Sequence, residues 1–172
     1  MANPDRPHGF RPVATPSGTP ARTNEYNVAA ANTAMGIGDV VVLTTAGVVD
    51  AGAASATQII GIAAQAKAAS SGGTMLVYDD PDLLVEAQTD DGTGAATAAA
   101  DLFGNIDFVA TAPSNDMSRM ELDESSQADT STLPFKLLKL YPVSDNEHGE
   151  FNRIICSINN HVLKSSGTTG LT

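Results

Sequence analysis

Residues 152–159 read Asn-Arg-Ile-Ile-Cys-Ser-Ile-Asn, and this stretch decides the fold class. Successive side chains in a β-strand point to opposite faces, so strict alternation is typical of a half-buried strand. One face carries Ile154, Cys156 and Ile158. The other face carries Arg153, Ile155, Ser157 and Asn159. The stretch therefore predicts a strand with one face in a hydrophobic core.

Further short apolar runs, separated by turn residues, lie on the N-terminal side of this strand. Gly61 interrupts one of them and predicts a bulge or a close backbone approach. The stretch 95–103 is compatible with about two helical turns. With turn signals between the runs and no long amphipathic helix, the sequence predicts an all-β fold with little helix, either a small barrel or a sandwich. The strand candidates are residues 40–43, 48–49, 58–64, 74–78, 83–88, 106–110, 119–122 and 135–141.

The first 22 residues differ from the rest of the chain in proline content and in charge. They hold five of the nine prolines, and three arginines against one aspartate give them a charge of +2, whereas the whole chain carries −11. Each proline removes a backbone donor and fixes φ, so this segment is a poor helix or sheet former. We therefore expect an extended arm at residues 1–23, a β domain at 24–164 and a flexible tail at 165–172.

The predicted arm has side chains suited to contact with another protein. An aromatic residue between two arginines is unusual in an unstructured spacer, although a flexible tail or an expression remnant is the alternative. An aromatic ring fills a partner's pocket, and guanidinium groups make bidentate bonds to carboxylates. The predicted contact residues are Arg6, His8, Phe10 and Arg11.

No pattern in the sequence indicates an enzyme. His8, His148 and His161 lie in unrelated segments, and no G-x-S-x-G nucleophile elbow is present. The single cysteine, Cys156, lies in an apolar run and is interpreted as a small buried hydrophobic residue. We therefore predict no catalytic residue and no cofactor.

The turn formed by Asp79, Asp80, Pro81 and Asp82 is the best candidate for a metal ion. Closely spaced carboxylates provide the oxygen ligands that calcium prefers. However, the segment lacks the glycine and the glutamate of an EF-hand loop. A proline turn whose aspartates accept hydrogen bonds from the backbone is therefore favoured, no metal site is predicted, and cation binding by the turn is left open.

The charge of the chain bears on its partners. A net charge of −11 disfavours nucleic acid, whose binding requires a basic surface. No run approaches the about 18 apolar residues of a membrane span, and the N-terminus lacks the apolar core of a secretion signal. We predict a protein partner, with no nucleic acid and no membrane.

Five stretches of the sequence, spread over most of the chain, form a recognisable pattern. They are MANPDRPHGFRPV at 1–13, GDVVVLTTAGVVDAG at 38–52, VYDDPD at 77–82, SRMELDESS at 118–126 and DNEHGEFNRIICSINNH at 145–161. Together they resemble the head decoration, or cement, proteins of tailed bacteriophages, and the first and the fourth stretches are the more specific ones.

This resemblance implies a structural function on the outer surface of a phage head, after assembly in the host cytoplasm. Proteins of this kind bind major capsid subunits of the HK97-type fold, hold neighbouring subunits together against the pressure of the packaged DNA, and are homodimers or homotrimers. The alternative is a virion-surface module that binds a receptor or a glycan, since small β domains display such sites on loops. The sequence leaves open the choice between dimer and trimer and the lattice axis that is occupied.

Overall fold

The computed structural model describes residues 3–90, 97–164, 167 and 170. Within these residues nearly all regular structure is β-strand, which confirms the all-β prediction. Of the stretch predicted to be compatible with helix, residues 97–103 contribute only a 3-10 turn at Ala99–Asp101, and residues 95–96 lie outside the described residues. The strands are β1 (Arg11–Ala14), β2 (Thr23–Asn27), β3 (Val40–Leu43), β4 (Val49–Ala51), β5 (Ile59–Ala63), β6 (Thr74–Tyr78), β7 (Leu84–Gln88), β8 (Asn105–Val109), β9 (Glu121–Ala128), β10 (Phe135–Leu140) and β11 (Arg153–Ile158).

The strands form two antiparallel sheets that pack as a sandwich-like domain. Sheet A has six strands in the order β1-β7-β11-β10-β8-β9, and sheet B has five in the order β2-β6-β5-β3-β4. Sheet A curls toward closure, because Thr89, just after β7, forms a bridge with Leu122 of β9. The backbone N–H of Asp90 also donates to the carbonyl of Leu122 at 2.9 Å.

The main core lies between the two sheets. Ile154, Cys156 and Ile158 are fully buried in it, as the alternation in β11 predicts. Ile155, on the opposite face of the same strand, is also buried, with 4% of its surface exposed. Strand β11 is therefore a central strand that is covered on both faces over much of its length, and its outer face supports the segment described below.

Sheet B has a second core on its outer face. Strand residues such as Ile60 and Met75 pack there against Val28 and Met35, which belong to the connection between β2 and β3. Gly61 in β5 lies beside a register shift between Val41 and Val42, and a Cβ at this position would overlap the carbonyl oxygen of Tyr78. The predicted close backbone approach at Gly61 is therefore confirmed.

The N-terminal segment is part of this body. Strand β1 pairs with β7, where Arg11 lies opposite Glu86, and the ring of Phe10 is fully buried. Pro12 fits because β1 is an edge strand, which requires fewer backbone donors than a central strand. The expected extended arm at residues 1–23 is thus not confirmed, and the expected tail at 165–172 lies outside the described residues apart from 167 and 170.

Candidate docking surface

Phe10 does not serve as an anchor for a partner, because it fills the core of its own domain. Its ring stacks on Phe135 with centroids 4.5 Å apart and meets Phe108 edge-on at 6.1 Å. The prediction that Phe10 contacts a partner is therefore wrong. Burial in the aromatic cluster removes the apolar surface of the ring from water, whereas on an extended arm that surface would stay exposed.

Gly9 lets the chain place its neighbours on opposite sides of the sheet. It has a φ of +71°, which glycine adopts readily, and a Cβ here would overlap the side chain of Ser118. The backbone N–H of Phe10 then donates to the carbonyl of Gly38 at 2.9 Å. His8 consequently remains outside while Phe10 enters the core.

His8 lies against a carboxylate on the outer face of sheet A. Its Nδ1 lies 2.9 Å from the carbonyl oxygen of Arg6, and its Nε2 lies 2.9 and 3.0 Å from the two carboxylate oxygens of Glu86. Both neighbours only accept hydrogen bonds, so a ring nitrogen that carries a proton donates to the neighbour that it faces.

Glu86 is the buried centre of this surface, since only 2% of its side chain is exposed. Nε of Arg153 donates to its Oε1 at 2.6 Å, in addition to the bond from His8. Burial raises the pKa of Glu86, but the hydrogen bonds and charges of His8 and Arg153 outweigh burial and hold it below its ordinary value. Glu86 is therefore an ionised carboxylate held by Arg153 and His8.

Side-chain amides fix the chain around this centre. Gln88 accepts a bond from the backbone N–H of Arg6 at 2.8 Å and donates to the carbonyls of Pro4 and Phe151. Nδ2 of Asn146 donates to the carbonyl of Arg153 at 2.7 Å, and its Oδ1 accepts a bond from the backbone N–H of Arg153 at 2.8 Å. These contacts hold residues 4–8 and the loop before β11 as the two walls of a cleft.

This cleft, called here the arginine cleft, has a volume of about 360 Å³. Arg6 and Arg11 are exposed side chains in its lining, and neither guanidinium group has a hydrogen bond or ion pair with the residues that the structure describes. One carboxylate, Asp145, also lines it. The side chains that give the cleft its character are Arg6, His8, Arg11, Asp145, Asn146 and Arg153.

The arginine cleft opens on the outer face of sheet A. Across this face the register aligns Arg11 of β1, Glu86 of β7, Ile155 of β11 and Lys139 of β10. Three strand spacings make this row about 14 Å wide. The guanidinium group of Arg153 lies over the ring of Tyr141, 4.6 Å from its centre. The row thus combines the cations Arg11 and Lys139 with the carboxylate of Glu86, and the exposed guanidinium group of Arg11 is available to an anionic partner surface.

The aspartate turn serves the fold. The carboxylate of Asp79 is buried and accepts bonds from Arg22 Nε at 2.9 Å, Asn24 Nδ2 at 2.8 Å and Tyr26 OH at 2.6 Å. Burial raises the pKa of Asp79, but these donors outweigh it and lower the pKa below the ordinary value, while burial and Asp79 raise the pKa of Tyr26 to about 12. Asp79 thus ties the chain that enters β2 to the end of β6.

The other members of the turn also act locally. The backbone N–H of Asp82 donates to Oδ1 of Asp80 at 3.0 Å, which confirms the interpretation of the segment as a capped turn. The described part of the chain contains no group of three His, Cys, Asp or Glu side chains placed to hold a metal ion.

Cys156 and the remaining histidines lie away from the arginine cleft. Cys156 is fully buried, and burial raises the pKa of its thiol well above the ordinary value. This confirms its interpretation as a small buried hydrophobic residue. His161 is buried, and its Nδ1 accepts the backbone N–H of Leu163 at 3.1 Å, whereas His148 lies exposed in a loop.

No family model, no curated protein and no solved structure matches this chain. Among the described residues, no helix has the length and apolar character needed to cross a membrane.

Proposed function

We propose that this protein is a capsid decoration, or cement, protein that binds the outer surface of a tailed-phage head. It holds neighbouring major capsid subunits of the HK97-type fold together against the pressure of the packaged DNA. The observation that carries the proposal is that Arg6 and Arg11 line one cleft with exposed guanidinium groups, which have no hydrogen bond or ion pair among the described residues. Charged groups of this kind favour an anionic protein surface.

The placement of the two most specific stretches of the phage resemblance supports the same function. The N-terminal stretch contributes Gly9, and the stretch at 118–126 contributes Ser118, and a Cβ on Gly9 would overlap the side chain of Ser118. These stretches, about a hundred residues apart in sequence, therefore meet at the buried Gly9, one residue after His8 of the arginine cleft.

Docking in this proposal uses a surface that is already formed. Residues 4–8 are held by Gln88 and Glu86 before any partner binds, so little chain entropy is lost on docking. Many copies on one shell, as homodimers or homotrimers, add small contacts to a large total by multivalency. The protein acts on the outside of the virion head after assembly in the host cytoplasm, with no catalytic role and no nucleic-acid partner.

The test is co-sedimentation of the purified protein with expanded, empty heads of the phage that encodes it. We expect saturable binding, and we expect the double variant Arg6→Gln/Arg11→Gln to lose most of it. Arg119→Gln is the matched control, because Arg119 is an exposed arginine outside the arginine cleft. Absence of binding by the unmodified protein, or binding to host-cell glycans in place of heads, would contradict the proposal.

A further inference from the structure

We infer that the arginine cleft is a carboxylate-binding site that receives a short acidic segment of the partner protein, an inference that rests on the proposed decoration function. The chain has 20 acidic side chains and 9 lysines and arginines. With acids in such excess, each arginine has carboxylates available to pair with in its own chain. Arg6 and Arg11 nevertheless lack such a partner in the described structure and line the same cleft.

The charge within the cleft is incompletely balanced. Three guanidinium groups, those of Arg6, Arg11 and Arg153, line the cleft together with one carboxylate, that of Asp145. Arg153 is also paired with Glu86, and Glu121 lies near enough to His8 to interact with it electrostatically. Like charges that line the same cleft repel each other, and partial desolvation strengthens this repulsion. An incoming carboxylate relieves it, whereas an incoming cation or apolar group does not.

The donors have the geometry that carboxylates require. A guanidinium group is planar and offers two parallel N–H bonds to the two oxygens of a carboxylate. Arg6 precedes Gly9, and Arg11 lies on β1 beyond it, so the two groups belong to different parts of the cleft wall. Two separated forks suit a segment with two acidic side chains better than a single acid.

The size and chemistry of the cleft favour a peptide over other anions. Its volume of about 360 Å³ lies at the lower end of the range of ligand pockets, about 300–1,000 Å³. Nucleic acid is disfavoured by the net charge of −11 and by Asp145 in the lining. Phosphate sites commonly use backbone N–H groups, but the N–H of Arg6 already donates to Gln88.

The test is an NMR titration of the full-length protein, with the arginine Nε–Hε signals as the readout. The probe is a blocked Glu-Gly-Glu peptide, and the matched probe is Gln-Gly-Gln. We expect saturable shifts of the Arg6 and Arg11 signals with the acidic peptide only. Arg6→Gln/Arg11→Gln should weaken binding by about tenfold or more, while Arg119→Gln should leave it unchanged. Thermal unfolding verifies that each variant is folded.

Three outcomes overturn the inference: no saturable shift with the acidic peptide, equal weakening by Arg119→Gln, or tighter binding of inorganic phosphate or of a short single-stranded DNA than of the peptide. The NMR titration and the co-sedimentation assay together separate the two proposals. Peptide binding without head binding contradicts the decoration function but supports the carboxylate-binding site. Head binding without peptide binding contradicts the carboxylate-binding site alone.

Discussion

Nε2 of His8 lies 2.9 Å from Oε1 of Glu86, a contact between residues that are 78 positions apart in the chain. Arg153 donates to the same oxygen, so one carboxylate joins the N-terminal segment, β7 and β11. The side chain of Glu86 is almost fully buried, whereas those of His8 and Arg153 are partly exposed, at 13% and 30%. The attachment of the N-terminal segment beside the arginine cleft therefore depends in part on this carboxylate.

Replacement of Glu86 by glutamine should destabilise the protein. The substitution keeps the shape of the side chain but leaves Arg153 and His8 without their anionic partner. We expect the free energy of unfolding to fall by about 2–3 kcal/mol, measured by urea denaturation at neutral pH. Glu150→Gln, which changes an exposed glutamate in a nearby loop, should alter stability by less than about 0.5 kcal/mol. Equal effects of the two substitutions would contradict the assigned role of Glu86.

The carboxylate of Glu86 should also make the protein less stable in acid. The pKa of Glu86 is lower in the folded chain than its ordinary value, because the hydrogen bonds from His8 and Arg153 outweigh burial. Such a group contributes stability above its unfolded pKa and loses that contribution as the pH falls through the folded pKa. The difference between the unmodified protein and Glu86→Gln should therefore shrink below about pH 4.3. A difference that stays constant from neutral pH to pH 3 would rule this out.

Glu124 should make the stability of the protein depend on pH in the opposite direction. Burial, aided by the charge of Asp90, raises its pKa to about 7, although bonds from Thr89 and Thr97 act against this. Its Oε2 has no hydrogen-bond partner among the described residues. A carboxyl with a raised folded pKa binds a proton on folding, so stability falls as the pH rises from its unfolded pKa to about 7.

The variant Glu124→Gln removes this dependence. The unfolding free energy of the variant minus that of the unmodified protein should rise by about 2 kcal/mol from pH 5 to pH 8. Urea denaturation at the two pH values measures the gain, and Glu150→Gln again provides the control. A variant that follows the pH profile of the unmodified protein would remove Glu124 from this role.

Phe10→Ala should destabilise the domain by about 3–5 kcal/mol, because it leaves a cavity in the aromatic cluster. Phe103 provides the matched control, since 49% of its surface is exposed. Phe103→Ala should change the unfolding free energy by less than about 1 kcal/mol. For the same reason, deletion of residues 1–14 should destabilise the body. Thermal unfolding of all three forms tests this, and a fully stable deletion form would contradict the placement of Phe10.

The aspartate turn offers two chemically identical substitutions in different surroundings. Asp79→Asn removes a buried charge that accepts bonds from three side chains, and it should lower the unfolding free energy by about 2–3 kcal/mol. Asp82→Asn changes a side chain that is 70% exposed and should alter stability by less than about 0.5 kcal/mol. Denaturation in urea compares the two, and equal losses would assign no special role to the buried carboxylate.

Strong alternation and apolar runs made the interior strands predictable. Strands β3, β5, β7, β10 and β11 lie close to the predicted stretches because their β-branched and apolar residues are needed on buried faces. Strands β1 and β2 were missed, since Pro12 and the polar run 23–27 look like loop. Edge strands tolerate such residues, and only the pairing with β7 and with β6 reveals them.

The surface could be predicted only in part. The arginines of the N-terminal segment were recognised as candidate contacts, and that role stays a prediction. The local sequence does not tell whether an aromatic residue near arginines enters its own core or a partner's pocket, and Phe10 was assigned to the wrong one. Glu86 and Arg153 were missed as a pair because they lie 67 positions apart and meet only through the register of β7 and β11.

Asn3, which bonds the backbone of the loop at 147–150, lines the mouth of the arginine cleft. The wall of the proposed binding site therefore begins only two residues after the first residue of the chain. Binding assays on this protein should consequently compare N-terminally and C-terminally tagged forms, because a bulky group before Asn3 is attached close to the site.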